Sequence, residues 1–377
     1  MITRRRFLGS AGLVAMSAAT GVPGLAAAPP RWPPYRQAMA IDGLGGVDYL
    51  MVPEDDPAAP AMLQHIRECG LTAVMMTAAP QGRFWFDDAA YHATRQRIDD
   101  WKARIDRHPD AMLLVRNRAD LQQAHDSHRV GVILTFQGTE SLGEDLDRIA
   151  QFHQQGVRVI QLTHNRRNLV GDGCMEPGNA GLSNYGHQVV ERLNAQRIVV
   201  DLAHGSPRTI REGILASKAP VLIGHTGCRS LVDAPRLAWD AELKLLADRG
   251  GVAGMIFWPY IRAQGQQMAA DVIRHIEHAI DVCGEDHVGI GTDLGISPIE
   301  VTPEFTRDNL EQIRGMIEDG IFAADRDPHL TLFPPDLNVP NRFEVLAAML
   351  SARGHSDARI EKILGRNFAR VMGEVWG

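Results

Sequence analysis

Residues 198–226, IVVDLAHGSPRTIREGILASKAPVLIGHT, decide the fold of this chain. Two short apolar runs rich in β-branched residues, Ile198–Leu202 and Val221–Gly224, flank a segment whose apolar residues recur at helical spacing, Pro207–Ala216. Nearly continuous apolar strands separated by helices are typical of parallel sheets that are buried on both faces. This stretch therefore predicts one strand–helix–strand unit of such a sheet.

The same alternation covers most of the chain. It predicts eight strands, at Met39–Asp42, Leu71–Met76, Gly131–Phe136, Val157–Leu162, Ile198–Leu202, Val221–Gly224, Val252–Phe257 and Val288–Gly291. Helices are predicted between them, at Ala61–Cys69, Asp88–Arg107, Leu142–Gln155, Leu182–Asn194, Pro207–Ala216, Asp240–Arg249 and Asp271–Cys283. Eight such units indicate an α/β fold of the (β/α)8 TIM-barrel type, with a doubly wound open sheet as the alternative.

Three further segments complete the predicted barrel. The tail, residues 341–377, has apolar residues at i, i+3 and i+4 over Asn341–Arg353 and Asp357–Val375, which predicts C-terminal helices packed on the barrel. Asn165–Gly181 and Pro298–Val339 are long and rich in Gly, Pro, Asn and Asp. Because long loops at the carboxyl ends of barrel strands usually surround the active site, these two are expected to shape a substrate pocket.

The chain begins with features typical of a cleavable export signal. Thr3-Arg4-Arg5-Arg6-Phe7-Leu8 precedes an apolar stretch of small residues that ends in Ala26-Ala27-Ala28. Paired arginines before Phe-Leu are typical of the twin-arginine route, and the apolar run is shorter than the roughly 20 residues that span a bilayer. We therefore predict an export signal over 1–28 and a single barrel domain over 29–377, located in the periplasm or secreted, with no membrane span.

Charge and cysteine content limit the expected partners and compartment. Without residues 1–28 the chain has 36 basic and 46 acidic residues, a net charge near −10, which argues against nucleic acid or an anionic membrane as the main partner. Four cysteines, Cys69, Cys174, Cys228 and Cys283, show no C-x-x-C spacing. In an oxidising compartment we expect them to form one or two disulfides, with the pairing left open.

Ionisable residues follow four of the predicted strands at their carboxyl ends. His164, His204, His225 and Asp293 follow or end strands four, five, six and eight, so all four converge on one mouth of the barrel. Two neutral imidazoles from adjacent strands can bind one divalent ion, commonly zinc, and an aspartate can move a proton from a metal-bound water to a leaving amine. A single histidine at a strand end is more often a hydrogen-bonded structural group, but the set points to hydrolysis at a carbonyl carbon.

Several of these segments resemble the membrane (renal-type) dipeptidases of the amidohydrolase superfamily. The resemblance covers nearly the whole chain after the signal, and it rests on the segments taken together. They are Asp42-Gly43, IQLTHN at 160–165, VDLAH at 200–204, APVLIGHT at 219–226, HVGIGTD at 287–293 and GRNFARV at 365–371. It implies a (β/α)8 barrel that uses two zinc ions to hydrolyse dipeptides.

The resemblance also implies a role for individual residues. His204 and His225 match the ligands of the second metal, and His164 matches a histidine that contacts the substrate near the scissile carbonyl. Asp293 matches the catalytic acid/base. Arg236 matches a basic residue that binds the substrate carboxylate, which a planar guanidinium can contact through two hydrogen bonds.

Three positions depart from the family pattern. The first-strand His-x-Asp that would hold the first zinc falls on Leu44 and Gly46, and the bridging glutamate falls on Gln137. Leucine and glycine side chains offer no ligand, and a neutral amide binds a dication far more weakly than a carboxylate does. The first metal position is therefore expected to be empty, and the cofactor is expected to be one zinc ion or none.

A few other residues are alternatives for the roles that are missing. Cys228 and Glu140 are candidate third ligands if their loops turn inward, and Asp48 is a weaker candidate for the lost aspartate. Cys228 also fits a disulfide, and Glu140 also fits an acidic residue at the start of a helix. Arg229, close after His225, is a second candidate for the carboxylate contact.

Two functions follow from this pattern. The first is a dipeptidase-like hydrolase with at most one zinc at His204 and His225, acting on a small peptide or amide. The second is a metal-free barrel that binds or tailors an exported peptide metabolite through His164 and Asp293. The first is our main prediction. Since members of the family are often dimers, the resemblance leaves both a homodimer and a monomer open.

Overall fold

The computed structural model describes residues 31–80 and 88–377 of the chain. The predicted export signal, 1–28, lies outside these residues. Among the described residues, no helix has both the length and the apolar character that crossing a bilayer requires.

The described residues contain one parallel sheet that closes into a barrel. Its strands are β1 (Ile41–Asp42), β2 (Ala73–Thr77), β3 (Met112–Leu114), β4 (Val130–Phe136), β5 (Val157–Gln161), β6 (Val199–Asp201), β7 (Leu222–Thr226), β8 (Val252–Met255) and β9 (Val288–Ile290). β1 pairs with both β2 and β9, and β2 also pairs with β4, so the sheet closes on itself. The predicted (β/α)8 barrel is confirmed, and the open sheet is wrong because such a sheet would leave two unpaired edges.

All eight predicted strands are present, and β3 is an additional strand that the sequence analysis did not predict. β3 pairs with Val130–Val132 at the beginning of β4, whereas β5 pairs with Leu134–Phe136 at the end of β4. It therefore shares one edge of β4 with β5. Three residues are too few to show an alternating or β-branched pattern, so no sequence pattern predicts this strand.

Helices surround the barrel and cover its outer face. They are α1 (Asp48–Met51), α2 (Ala59–Glu68), α3 (Ala89–Arg107), α4 (Arg118–Ser127), α5 (Asp147–Gln155), α6 (Asn184–Ala195), α7 (Pro207–Ala216), α8 (Asp240–Asp248), α9 (Ala269–Cys283), α10 (Pro303–Glu318), α11 (Arg342–Ala352), α12 (Asp357–Glu361) and α13 (Asn367–Trp376). α7 has the predicted bounds. Ser206 caps it by accepting a hydrogen bond from the Thr209 amide, and Pro207 occupies its first turn.

One predicted loop contains a helix. Pro298–Val339 includes α10, which begins after Thr302, whose side chain accepts a hydrogen bond from the Phe305 amide. Ile313 on this helix is buried. The helix begins with a threonine at the N-cap position and a proline directly after it, which are typical start signals. The loop-like composition of the whole segment hid these two residues.

The C-terminal helices predicted for the tail are present, and α13 closes the amino end of the barrel. Phe368, Val371 and Met372 are fully buried against barrel residues such as Ile41 and Val159. The Asn367 side chain donates hydrogen bonds to the carbonyl oxygens of Glu285 and Val288, which lie just before and in β9. The opposite end, where the strands finish, is left for the site.

Candidate functional site at the carboxyl end of the barrel

Two histidines from neighbouring strands meet at the mouth. His204 follows β6 and His225 lies in β7, and both are buried, with exposed fractions of 7% and 0%. Their Nε2 atoms are 2.9 Å apart. The structure thus brings together the two residues that the sequence analysis predicted as metal ligands.

Asn165 orients the ring of His204. Its Oδ1 lies 2.6 Å from His204 Nδ1 and also accepts the thiol hydrogen of Cys174 at 3.5 Å. Because an amide oxygen can only accept, His204 Nδ1 carries the hydrogen and the Nε2 lone pair faces His225. A histidine ligand that donates its other N–H to an oxygen is the usual arrangement in metal sites. Asn165 was not predicted as a site residue, although it directly follows His164.

His164 lies against the face of His204. The two rings stack with centroids 4.1 Å apart and an angle of 25° between their planes. The structure thus brings His164 to the histidine pair as a ring stacked on His204. Its contact with the substrate stays a prediction.

Asp293, three residues past the end of β9, is held from both sides. Its backbone N–H donates to the Leu44 carbonyl oxygen at 2.7 Å, and its own carbonyl oxygen accepts from Trp258 Nε1 at 3.0 Å. These bonds join the loops that follow β1, β8 and β9. Trp258 therefore supports Asp293, a contact that no sequence pattern indicated.

Arg236 is a buried cation beside the histidine pair. It is 3% exposed, and its guanidinium donates to the carbonyl oxygen of His225 at 2.9 Å. Within residues 31–80 and 88–377 no carboxylate lies at ion-pairing distance from it. A buried charge is costly unless it is paired, so this guanidinium is suited to receive an anionic group from a ligand.

Arg229, the other candidate for this role, is already engaged. Its Nε donates to Asp233 at 2.8 Å, and its guanidinium lies over the ring of Trp239 at 4.7 Å. The structure therefore favours Arg236 as the carboxylate contact.

Tyr260 is a further residue of the mouth that the sequence analysis missed. It is 6% exposed and lies within electrostatic reach of Arg236 and Asp293. Burial raises the pKa of Tyr260 well above its usual range, so its hydroxyl keeps its proton and stays a hydrogen-bond donor. Only Trp258 and Pro259 separate Tyr260 from Phe257, the last residue of the strand predicted there.

Gln137 borders the histidine pair where the family pattern has its bridging glutamate. Its side-chain nitrogen lies 3.3 Å from His225 Nε2, and its Oε1 is buried without a hydrogen-bond partner. Leu44 is 2% exposed, and Gly46 binds the loop after β9 through its backbone N–H and carbonyl groups. This side of the mouth is therefore neutral.

A binuclear metal centre does not fit these residues. No group of three or more His, Cys, Asp or Glu side chains that could hold a metal ion occurs in the described parts of the chain. The pair His204 and His225 still offers two converging imidazole nitrogens. Two ligands of a tetrahedral zinc are about 3.3 Å apart for the usual bond lengths, so their separation needs to grow by only a few tenths of an ångström to accept one ion.

The substitute ligands considered from the sequence point elsewhere. Cys228 is fully buried and its thiol donates to the carbonyl oxygen of His275 at 3.4 Å. Asp48 is half-buried and accepts a hydrogen bond from the Ser297 amide at 2.7 Å. Burial raises the pKa of Glu140 to about 7, and this carboxyl group turns back toward Gly138. None of the three adds a ligand to the histidine pair.

The expected disulfides are wrong. Cys69, Cys174, Cys228 and Cys283 are all free thiols. The Cys69 and Cys283 thiols donate to carbonyl oxygens within or next to their own helices, at Ile66 and Ala279. The Cys174 and Cys228 thiols donate to oxygen atoms of Asn165 and His275, so each of the four thiols has an oxygen acceptor. Burial raises the pKa of Cys174 to about 11, which keeps that thiol protonated.

Two buried carboxyl groups tie neighbouring strands together beneath the mouth. Asp201 Oδ1 accepts from the amides of Ala203 and Gly224, both at 2.9 Å, and Asp42 accepts from the amide and hydroxyl of Thr292 at 2.8 and 2.6 Å. Burial raises the pKa of Asp201 to about 6 and that of Asp42 to about 7. These bonds set the spacing of the strands that carry the site residues.

The two long segments that were expected to shape a pocket contact each other. Arg166, in the loop after β5, donates to Asp319 at the end of α10 across 3.4 Å. Their role in forming a pocket stays a prediction.

Comparison with known proteins assigns the family. The sequence model of the membrane dipeptidases, peptidase family M19, matches residues 52–307. The chain belongs to family M19. The matched stretch begins after Leu44 and Gly46 and includes the histidine pair, Arg236 and Asp293. The predicted family is thus confirmed, and the protein is a dipeptidase-like hydrolase of a family whose members are metallopeptidases.

Individual relatives agree with this membership in M19. Dipeptidase verJ of Clonostachys rogersoniana is 29% identical over 293 residues, which are 76% of this chain and 67% of that protein. An amidohydrolase from Pseudomonas aeruginosa has a similar structure, with a TM-score of 0.75 and 28% identity over 91% of this chain and 98% of that one. A metallo peptidase from Rhodobacter sphaeroides, liganded with a phosphinate mimic of the dipeptide L-Ala-D-Ala, shares the fold at a TM-score of 0.72 and 18% identity, with 90% and 99% of the two chains covered.

Proposed function

We propose that this M19 protein hydrolyses an amide bond in a small peptide-like substrate that has a free carboxylate, and that it uses at most one divalent ion, held by His204 and His225. The observation that supports this proposal is the direct contact between Arg236 and the histidine pair. The guanidinium of Arg236 binds the carbonyl oxygen of His225, whose ring nitrogen lies 2.9 Å from that of His204. A carboxylate at Arg236 would therefore hold the rest of the ligand against the histidine pair.

Neutral and cationic side chains favour this orientation of the substrate. Arg236 supplies the positive charge, and the hydroxyl of Tyr260 lies within its electrostatic reach. On the other side Leu44, Gly46 and Gln137 carry no charge. A substrate carboxylate is therefore attracted to the Arg236 side of the mouth.

The remaining residues fit roles in proton transfer and substrate contact. A divalent ion at His204 and His225 would supply polarisation of the scissile carbonyl and activation of a water molecule. Asp293, in the loop after β9, would take up the proton of the attacking water and deliver it to the leaving amine, because a carboxylate can act as both general base and general acid. His164, stacked on His204, would contact the substrate near the same bond.

Metal analysis and a dipeptide assay test this proposal together. Protein purified under zinc-replete conditions is expected to hold no more than about one zinc per chain and to release amino acids from a panel of dipeptides. His204→Ala is expected to lose both the metal and the activity. Asp293→Asn is expected to keep the metal and lose the activity, and Arg229→Met serves as the matched arginine control that retains both.

Absence of metal together with absence of hydrolysis across the panel would contradict the proposal. That result would support the metal-free alternative, in which the barrel binds or tailors a peptide metabolite. Two zinc ions per chain would instead contradict the expectation that the first metal position is empty, because Leu44 and Gly46 provide no side-chain ligand.

We also propose that the protein is exported through the twin-arginine route. The support is the sequence of residues 1–28. A reporter fused after residue 40 is expected to reach the periplasm only in cells with a working twin-arginine translocase, and Arg4→Lys with Arg5→Lys is expected to retain it in the cytoplasm. Export of the doubly substituted fusion would contradict this route.

A further inference from the structure

His275 connects helix α9 to two loops of the mouth. It is fully buried, and its Nε2 lies 2.9 Å from the carbonyl oxygen of Ile261. Because a carbonyl oxygen only accepts, Nε2 carries the hydrogen, and the bare Nδ1 accepts the backbone N–H of Cys228 at 2.9 Å. Burial lowers the pKa of His275 to about 4, so the ring stays neutral at ordinary pH. The tautomer is thus set by the two partners.

The first of these contacts supports the loop that carries Arg236. This loop, residues 227–238, closes on itself: the Ala238 amide donates to the Gly227 carbonyl oxygen at 3.1 Å, and the Arg229 amide donates to the Ala238 carbonyl oxygen at 2.8 Å. Cys228 lies at the base of this closed loop and Arg236 at its returning end. A displacement of Cys228 would therefore displace the guanidinium of Arg236.

The second contact supports the loop that carries Tyr260. Ile261 directly follows Tyr260 and accepts hydrogen bonds from both His275 and Arg274, at 2.9 and 3.1 Å. Tyr260 and Arg236 interact electrostatically, although they belong to different loops. One ring on α9 therefore fixes the relative position of the two loops.

We propose that His275 is a positioning residue for the carboxylate subsite: through Cys228 and Ile261 it holds the loops of Arg236 and Tyr260 at the spacing that selects a substrate with a free carboxylate. This inference rests on the proposed role of Arg236. His275 itself lies one layer behind the mouth and contacts backbone groups only.

Hydrogen exchange tests the contact without any ligand. In His275→Leu the Cys228 amide is expected to exchange at least tenfold faster than in the wild type. His275→Asn places an amide oxygen where Nδ1 stands, so the protection of Cys228 is expected to be kept within about threefold. His278→Gln is the matched control, because His278 lies on the same helix but binds Asp240, at 2.9 Å.

The selection of a free carboxylate is tested by comparing the binding of a dipeptide with the binding of its amide. Chelator-treated protein is titrated calorimetrically with Ala-Ala and with Ala-Ala amide, which removes turnover from the measurement. The wild type is expected to prefer the acid, and Arg236→Met is expected to abolish that preference. His275→Leu is expected to reduce the preference at least fivefold. His275→Asn, which keeps only the contact with Cys228, is expected to fall between His275→Leu and the wild type, and His278→Gln is expected to keep the preference. If His275→Leu does not fold, His275→Gln takes its place, because its amide leaves no acceptor at the position of Nδ1.

The two possible failures are distinguishable. A wild type without preference, or an Arg236→Met variant that keeps it, contradicts the carboxylate role of Arg236 and the inference with it. An Arg236→Met variant that loses the preference while His275→Leu keeps it overturns the positioning role of His275 alone. Unchanged exchange of the Cys228 amide in His275→Leu overturns it as well.

Discussion

At the scale of single residues, two side chains of the mouth depend on an uncommon backbone conformation. His204 and Asp293 have positive φ angles, 62° and 55°, a region that few non-glycine residues adopt, although Asp and His adopt it more often than most others do. Such a conformation costs about 1–3 kcal/mol and persists only when surrounding contacts impose it. Here those contacts come from loops distant in sequence, since the His204 carbonyl accepts the Cys174 amide and the Asp293 amide donates to Leu44.

The role of Asn165 leads to a prediction about metal affinity. Asn165→Leu removes the acceptor for His204 Nδ1, so the ring loses both its tautomer and its orientation. Zinc affinity is expected to fall about 10–100-fold, the usual effect of losing an outer partner of a ligating histidine. Competition with a chromophoric chelator measures this. Cys174→Ala, which removes only the second contact of the same Oδ1, is the control, and equal affinity in Asn165→Leu and the wild type would argue against the orienting role.

The neutral wall leads to a second prediction. Leu44→His, Gly46→Asp and Gln137→Glu together are expected to raise the zinc content toward two ions per chain. A Cβ atom at Gly46 would meet its nearest neighbours, Gly295 Cα and Met51 Sδ, at 3.6 Å, which is ordinary contact, so the aspartate fits without strain. Elemental analysis of purified protein measures the result. An unchanged zinc content in a folded triple variant would mean that these three positions do not share one site.

At the scale of elements, one side of the barrel is filled by backbone rather than by side chains. A Cβ at Gly254 of β8, or at Gly291 just after β9, would overlap the carbonyl oxygen of Gly224 in β7. The three strands therefore approach more closely than side chains would permit. Because His225 directly follows Gly224, this close approach also sets how far the histidine reaches into the mouth.

Gly254→Ala is expected to destabilise the protein strongly. The added methyl group has no room beside the Gly224 carbonyl oxygen, and a forced overlap in a packed core costs typically 1–3 kcal/mol or more. Gly315→Ala is the matched control, because Gly315 lies in α10 with no neighbour within 4 Å of a Cβ, and alanine there should add about 0.5–1 kcal/mol. Chemical denaturation measures both. Equal stability of Gly254→Ala and the wild type would contradict the close approach of the strands.

At the scale of the whole molecule, the two ends of the barrel have separate tasks. Apolar residues of α13, such as Phe368, seal the amino end, while the polar residues converge at the other. Between them lie buried carboxyl groups whose pKa values are raised by burial, including Asp42 and Asp201. Folding therefore favours their protonated forms, and the sign of the pH effect on global stability follows from that.

The stability of the fold is expected to fall as the pH rises from about 4 through 7. Asp42 has a pKa of about 7 in the folded protein against an ordinary value of 3.8, so folding favours the neutral group, and this contribution is lost as the group ionises. Between pH 5 and 8 the loss is on the order of 3 kcal/mol. Asp42→Asn is expected to remove the part of the decrease that comes from Asp42 and to leave the parts that come from Asp201 and Glu140, whose pKa values burial also raises. Urea denaturation at several pH values measures the free energy of unfolding, with exposed Asp126→Asn as the control. Parallel pH profiles of Asp42→Asn and the wild type would refute this prediction.

Much of this architecture was readable from the sequence, and the misses have physical causes. Apolar runs and helical periodicity predicted all eight barrel strands and the C-terminal helices, because burial on both faces leaves a strong compositional pattern. The short β3 leaves no such pattern. The disulfide expectation was wrong because compartment and cysteine number do not determine where thiols lie. Each thiol instead donates to an oxygen atom, which for Cys228 lies on His275, far away in the sequence.

The sequence by itself determined the barrel, the family and the meeting of His204 and His225, because neighbouring parallel strands end at one mouth. Only the tertiary structure decided how these groups are held: Asn165 against His204, Trp258 against Asp293, and His275 behind the loop of Arg236. It also separated the buried Arg236 from Arg229, which is paired with Asp233. Strand order follows from local patterns, whereas hydrogen bonds between loops depend on distances that close only when the whole barrel is assembled.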